Sequence, residues 1–444
     1  MYSDELARLF KEDSIEVGDR IMLTAKGIDM EGELMPSTEA GDPNIIVMKL
    51  KNGYNIGVEY PKGAKLKRTS KGKNEIKFPT SEAVAKRGLP KVTLIYTGGT
   101  IGSKVDYKTG GVYMLTKPGE LLYEVPELSD IANIEVRHLS SIASEDMSYI
   151  EWQGMAKATA DALNSGSRGV VITMGTDTMH YASAALSFML QDLNGPVVIT
   201  GAQRSSDRGS SDAFMNLASA MQIAARSDIA EVGICMHDSS SDDRCAFIRG
   251  TRARKMHTSR RDAFRSINDS PIAYVDRKLD ITYANTYNKM VDDIGEDVEA
   301  ATGFESKVAL VKSYPNSDPE IMDFYAKKGY KGIIIEGTGL GHLPVSTEHA
   351  DFLWLDSVKK AIAKGVIVGM TSQCINGRVN TNVYRNLRII SSLGVVYCED
   401  MTPETALVKL GWLLGNFKRD EAMQLLEKSL KREIKPRSKF DEFE

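Results

Sequence analysis

Beyond Pro90 the chain alternates short, wholly apolar runs with longer segments whose apolar residues recur at helical spacing, and a layered α/β architecture buries both kinds at once. Strands are expected at 91–97, 168–174, 196–201, 231–237, 307–313, 331–337 and 366–371. Helical spacing is found over 179–192, 212–226, 347–364 and 403–416. Strands that read as apolar throughout are expected to be mostly parallel, which places any ligand at their carboxyl ends. An acidic stretch of weak periodicity, 280–305, separates the last three strands from the rest and is the expected boundary between two lobes.

The first 75 residues read differently. Short strands at 19–23, 30–34 and 44–50 lead to Lys51-Asn52-Gly53-Tyr54, whose Asn-Gly pair signals a tight hairpin, with 54–58 as the return strand. A small β-barrel of the SH3-like kind is expected over 1–75. Between Lys62 and Lys77 stand seven Lys or Arg against one acid, Glu75, with little to bury, so solvated chain is expected to start near residue 70, with the linker between domains at 76–90. The expected core then divides into 91–290 and 300–435, followed by a charged tail, 436–444. A chain of 444 residues exceeds the size at which one core usually stops growing, so several domains are no surprise.

Bulk properties exclude several function classes. The net charge of -4 gives no general affinity for nucleic acid or anionic membrane. The first fourteen residues are too charged for a signal peptide, and no apolar run approaches the ~20 residues that span a bilayer, so a cytoplasmic location is expected. Cys235, Cys245, Cys374 and Cys398 show no CxxC spacing and are read as buried thiols. Six scattered histidines without an HExxH or Cys/His cluster lead to the expectation of no metal site.

Two segments carry chemistry. In Leu94-Ile95-Tyr96-Thr97-Gly98-Gly99-Thr100 an apolar strand runs straight into two glycines and a hydroxyl residue, and Val170-Val171-Ile172-Thr173-Met174-Gly175-Thr176-Asp177-Thr178 repeats the pattern. Taken alone, the first is an ordinary tight turn and the second a helix N-cap built from Thr and Asp. Both in one sheet, each placing a threonine just past a strand's carboxyl end, point to a site whose glycines let backbone N–H groups approach a ligand. No GxSxG elbow, Walker A loop or GxGxxG fingerprint competes. A hydroxyl attacks an amide only when a base removes its proton, and no histidine lies in either motif, so the base must be a lysine or an ionised tyrosine. Lys255 fits: between Arg249 and Arg265 seven cationic residues face one acid, Asp262, and crowding by like charge favours the neutral amine. The bland reading of that run is an anion-binding or RNA-facing surface, which stays as a second role for its arginines.

Together the motifs resemble the bacterial-type L-asparaginase family: TGGTI at 97–101, Tyr113 thirteen residues after Thr100, SEDM at 144–147, GTDT at 175–178, then Gly201-Ala202-Gln203-Arg204, Lys255 and Phe264-Arg265-Ser266. The resemblance covers about 91–435, with every motif in order, and implies a two-lobed doubly wound α/β core. It implies that Thr100 is a nucleophile activated by Tyr113 on a mobile lid, and that Thr176, Asp177 and Lys255 form the second catalytic group. Ser144 and Asp177 would hold the substrate's α-carboxylate and α-amino groups, Glu145, Gly99 and Gly175 would also line the substrate, and backbone N–H groups at the Gly-rich loops would stabilise the oxyanion. Which threonine makes the covalent attack stays open.

The departures are informative too. Gly339-Leu340-Gly341 stands where many asparaginases have Gly-Asn-Gly, Glu145 where many have glutamine, and the β-rich extension with its basic linker is foreign to a minimal asparaginase. This combination resembles the family formed by the D subunit of archaeal glutamyl-tRNA(Gln) amidotransferases. That implies a chain with no cofactor of its own, working as a homodimer within a D2E2 heterotetramer. It would hydrolyse glutamine, or asparagine, and pass ammonia to the amidotransferase E subunit, which uses ATP and Mg to convert Glu-tRNA(Gln) to Gln-tRNA(Gln). The rival readings are a free-standing L-asparaginase and an RNA-binding adaptor with a dead core.

Overall fold

The computed structural model describes the chain apart from residues 1, 26–27, 36, 38–41, 51–54, 62, 72–85, 106–111, 115–124, 126, 206–209, 292–296 and 439–444, and apart from the side chains of 55, 102–105, 112–114 and 350. Contacts divide it into two compact units, one of residues 1–82 with 103–115 and one of 83–102 with 116–444.

In the first unit, helix α1 (Asp4–Glu12) starts at Ser3, whose hydroxyl accepts the Leu6 N–H, and buries Leu6 and Phe10. Five antiparallel strands follow, β1 (Arg20–Ala25), β2 (Ile28–Leu34), β3 (Ile45–Lys49), β4 (Asn55–Glu59) and β5 (Lys65–Ser70), in the order β4-β3-β2-β1-β5. Ile21, Leu23, Leu34, Ile46, Met48 and Leu66 form its apolar core with the helix. The all-β character matches the sequence reading, but α1 and β5 were not foreseen. In β5 Leu66 alone points into the core while the cations beside it stay outside, so a strand hides inside a basic stretch. Ser103–Val105 and Val112–Met114 also belong to this unit and pair antiparallel, with Lys104 opposite Tyr113. The hairpin turn at 51–54 and Gly110 and Gly111 of the expected lid lie outside the described residues.

The second unit holds both lobes of the core. Its first sheet, counted among the described residues, has eight strands: β6 (Lys91–Tyr96), β7 (Asn133–His138), β8 (Gly169–Thr173), β9 (Val197–Thr200), β10 (Val232–His237), β11 (Arg244–Arg249), β14 (Ala273–Asp276) and β15 (Ile281–Tyr283). They run in the order β15-β14-β11-β10-β9-β8-β6-β7. A short separate hairpin joins β12 (Ala253–Lys255) to β13 (Phe264–Ser266). Strands β7, β6, β8, β9 and β10 are parallel, whereas β11, β14 and β15 pair antiparallel with their neighbours. The apolar runs read as strands, β6, β8, β9 and β10, are thus parallel as expected, and the strands not foreseen on this side, β11, β14 and β15, are antiparallel because short links connect β10 to β11 and β14 to β15, whereas a parallel neighbour needs a crossover long enough for a helix. Helices α2 (Tyr149–Asn164), α3 (Met179–Met189) and α4 (Ala213–Arg226) make such crossovers, α2 beginning in a capping box of Ser148 and Glu151. From β6 the chain goes first to β7 on one side and then to β8 on the other, so the strand order reverses at β6. Crevices for ligands open at the carboxyl ends of strands at such a reversal.

The second lobe is a parallel sheet, β16 (Val308–Lys312), β17 (Gly332–Gly337), β18 (Ile367–Ser372) and β19 (Val396–Tyr397) in that order, with α5 (Glu320–Lys327), α6 (Trp354–Ala363), α7 (Arg385–Ser392), α8 (Pro403–Asn416) and α9 (Arg419–Leu426). One apolar core runs through both lobes, with the rings of Phe188 on α3 and Trp412 on α8 stacked 5.7 Å apart. Cys235, Cys245 and Cys398 are buried as expected, but Cys374 is exposed, because it lies in the loop just past the end of β18. Within the stretch 280–305, β15 belongs to the first lobe's sheet and Glu299–Ala300 pairs with Leu190–Gln191. Among the described residues no helix is long and apolar enough to cross a membrane.

Candidate active site

Strands β6 and β8 are hydrogen-bonded neighbours with Tyr96 opposite Thr173, so the chain leaves both at the same edge of the sheet. Thr97 ties the exits together, its hydroxyl donating to the Thr173 carbonyl at 2.8 Å. Gly98 and Gly99 then adopt φ of +118° and +90°, a backbone that residues with a Cβ rarely take. A methyl group on Gly99 would run into the backbone of Met174 and Gly175, so this glycine is required for the two loops to touch. Thr100 follows, half-buried, at the head of a single 3-10 turn, Thr100–Gly102.

On the other loop Thr176 is buried and Asp177 exposed. Lys255, the last residue of β12, reaches both: its Nζ donates to Thr176 Oγ1 at 2.9 Å and to Asp177 Oδ1 at 2.6 Å. Ser144, only 2% exposed, accepts the Asp177 N–H on its hydroxyl at 3.2 Å, and its carbonyl accepts the Thr178 hydroxyl at 2.7 Å. Gly175 lies so close that a Cβ there would stand 2.8 Å from the Ser144 side chain. Glu145 is exposed next to it. Of the residues singled out in the sequence, Gly99, Ser144, Gly175, Thr176, Asp177 and Lys255 are thus brought together, with Thr100 and Glu145 next to Gly99 and Ser144 along the chain. The Tyr113 side chain lies outside the described residues. The loop after β17 holds Gly339 and Gly341 at φ of +51° and +97°, where glycine is favoured on both sides of Leu340.

The sequence reading overlooked His180. It lies in the first turn of α3, four residues after Thr176, and is only 8% exposed. Burial, followed by the nearby charges of Arg254 and Lys255, outweighs Asp177 and lowers its pKa from 6.5 to about 4, so the ring is neutral near pH 7. Arg254, which precedes Lys255, pairs with Glu404 at 3.1 Å, and burial raises the Glu404 carboxyl above its usual range. A histidine two residues past GTDT is visible in the sequence, but nothing local distinguishes it from an ordinary helix residue. Among the described residues no group of three or more His, Cys, Asp or Glu is placed to hold a metal ion.

A hydroxyl with a lysine amine in hydrogen-bond contact, beside glycine backbone and a second hydroxyl, is equipped for acyl transfer from an amide. Comparison with known proteins agrees. A model of the asparaginase N-terminal domain matches residues 91–287, and one of the glutaminase/asparaginase C-terminal domain matches 307–426. Among solved structures, the thermostable L-asparaginase from Thermococcus kodakarensis is similar at 29% identity and a TM-score of 0.67, over 78% of this chain and 100% of its own. L-asparaginase I from Vibrio cholerae is similar at 28% and 0.67, over 78% and 99%. Fold and site together define the class, an asparaginase-type amidohydrolase core.

The extension narrows it further. Residues 15–67 match a model described as the GatD N-terminal domain. The D subunit of glutamyl-tRNA(Gln) amidotransferase from Pyrococcus abyssi is 47% identical, and that from Pyrococcus furiosus 48%, each over 98% of this chain and 98% of its own length. Its counterpart from Thermofilum pendens is 44% identical over 100% and 98%. The chain belongs to the family of glutamyl-tRNA(Gln) amidotransferase D subunits.

Proposed function

We propose that this chain is the glutamine-hydrolysing component of a Glu-tRNA(Gln) amidotransferase. It releases ammonia for a partner, the E subunit, which amidates Glu-tRNA(Gln) with ATP and Mg. One observation carries the chemical part: Lys255 contacts the Thr176 hydroxyl and the Asp177 carboxylate at once, against the loop that bears Thr100. A threonine Oγ adds to the side-chain amide carbon as its proton passes to a base, Lys255 for Thr176 or Tyr113 for Thr100. The resulting oxyanion is held by backbone N–H groups of the glycine loops. Collapse breaks the C–N bond, the amine takes a proton and leaves as ammonia, and water then hydrolyses the threonine ester to free glutamate and the hydroxyl. Thr176 is the hydroxyl with a base in contact. Ser144 and Asp177 hold the substrate's α-groups, and Glu145 also lines the substrate. A homodimer within a D2E2 assembly and a cytoplasmic location complete the proposal.

The experiment is ammonia release from glutamine and from asparagine by the purified chain, alone and with the E subunit and Glu-tRNA(Gln). A slow basal rate that rises sharply with partner and charged tRNA supports the proposal. Fast hydrolysis with no response to either makes the chain a free-standing asparaginase instead.

A further inference from the structure

A buried polar chain runs behind the Thr176–Lys255 pair and uses neither residue. Asp212, fully buried ahead of α4, accepts the Gln203 N–H at 3.0 and 3.1 Å, the Arg204 N–H at 3.0 Å and an Asn216 Nδ2–H at 2.9 Å. Asn216 Nδ2 also donates to the Gly201 carbonyl at 3.0 Å. These bonds hold the loop that leaves β9, and that loop abuts the site: a methyl on Gly201 would stand 2.6 Å from the Met174 carbonyl and 3.1 Å from Thr176 Cγ2.

With its amide nitrogen committed to a carboxylate and a carbonyl, Asn216 must turn Oδ1 towards His237, whose Nδ1 lies 2.6 Å away. Nδ1 therefore carries a proton. Nε2 faces Asp242 Oδ1 at 3.1 Å. A lone pair there would oppose the carboxylate, whereas an N–H makes a charge-assisted bond, so the geometry favours an imidazolium with both nitrogens donating. Asp242 is in turn bound by Arg261, in the link between β12 and β13, the hairpin that carries Lys255. The groups facing His237 are Asp242 from the loop after β10, Cys245 from β11, whose Sγ is 3.9 Å from Nδ1, and Asn216 and Asp212 from α4 and its cap. Burial pulls the pKa of His237 down, but Cys245, Asp242 and Asp212 outweigh it, and the net shift is upward from 6.5.

We propose that His237, held as an imidazolium, is a positioning residue that joins the Gly201–Arg204 loop beside Thr176 to the Lys255 hairpin, so that its protonation sets the geometry of the catalytic pair. The activity part rests on the function proposed above; the structural part does not. Because the folded pKa is raised, the strut is intact below pH 6.5 and is lost as pH rises through the folded value.

The test uses the full chain, and for activity the chain with the E subunit and Glu-tRNA(Gln). Side-chain 15N spectra at pH 6 should show both His237 nitrogens protonated; a single neutral tautomer overturns the proposal. Asp242→Asn changes an exposed residue, and His237→Phe removes the ring's polar atoms should the fold tolerate it. Each should speed hydrogen exchange at the Gln203 and Arg204 amides. Each should lower kcat by roughly ten- to a hundredfold with little change in KM, the effect of a misplaced catalytic pair. The alkaline fall in kcat of the parent should move to lower pH in Asp242→Asn. Unchanged exchange and unchanged kcat in Asp242→Asn refute the strut. A parent that releases no ammonia refutes the proposed function instead, and the spectra and exchange rates still decide the strut.

Discussion

Replacing Lys255 separates catalysis from folding, because its contacts matter very differently to the two. Its partner Asp177 is 65% exposed, so the ion pair contributes about 1 kcal/mol or less to stability. Methionine retains most of the apolar stem, so Lys255→Met should lower the melting temperature by no more than about 4 °C. As a base in contact with Thr176 at 2.9 Å, the same amine is worth roughly 10²- to 10⁴-fold in rate, or about 3–5 kcal/mol of barrier. Activity should therefore collapse in a folded protein. Lys255→Arg is the sharper variant: the guanidinium keeps the charge and pairs well with Asp177, but it does not release its proton at accessible pH. It should melt like the parent and be about as inactive as the methionine variant. The assay is steady-state ammonia release from glutamine with the E subunit and charged tRNA present, next to a thermal melt of each variant. An arginine variant within about tenfold of parental kcat would reduce Lys255 to a charge partner and refute its role as base.

Thr100→Val and Thr176→Val should each remove most amide hydrolysis, by several orders of magnitude, while the melting temperature changes little; near-parental turnover in either would withdraw that residue's role. Gly99→Ala should cost about 1–2 kcal/mol for the left-handed backbone alone and should drive the two threonine loops apart, visible as a lowered melt with a loss of kcat of about a hundredfold or more. An alanine variant with parental kcat would show that the loops need not touch. His180 supplies the pH prediction. Its folded pKa of about 4 lies below the unfolded 6.5, so the neutral ring favours the native state above pH 6.5, and that stability drains away as pH falls from 6.5 towards 4, by about 3 kcal/mol in all. Denaturant titrations should show a shallower acid decline in His180→Leu than in the parent; parallel curves would mean the ring is not desolvated as described.

Elements whose signals are local could be read from the chain itself. Apolar runs named the strands β6, β8, β9, β10, β16, β17 and β18, and helical spacing from residue 403 marked the start of α8 at its true residue, where Pro403 follows the capping Thr402. The glycine–threonine strand exits were legible because a parallel sheet puts its ligand edge where strands end. Strand β5 escaped, since one buried leucine among cations carries no periodicity, and β11, β14 and β15, of 6, 4 and 3 residues, were not read as strands because runs so short carry little pattern; their antiparallel direction follows from link length and not from residue type.

Lys255 shows where sequence stops. Charge crowding singled it out, but its bonds to Thr176 and Asp177 span 79 and 78 residues and exist because the fold brings the end of β12 to the loop that leaves β8. His180, Glu404 and the chain from Asp212 to Arg261 lay hidden for the same reason. A desolvated ring or a shared proton belongs to groups on separate elements, and no spacing along one segment encodes their distance. The motifs thus determined which chemistry this chain carries; packing alone decided which charges surround it and in which protonation state each is held.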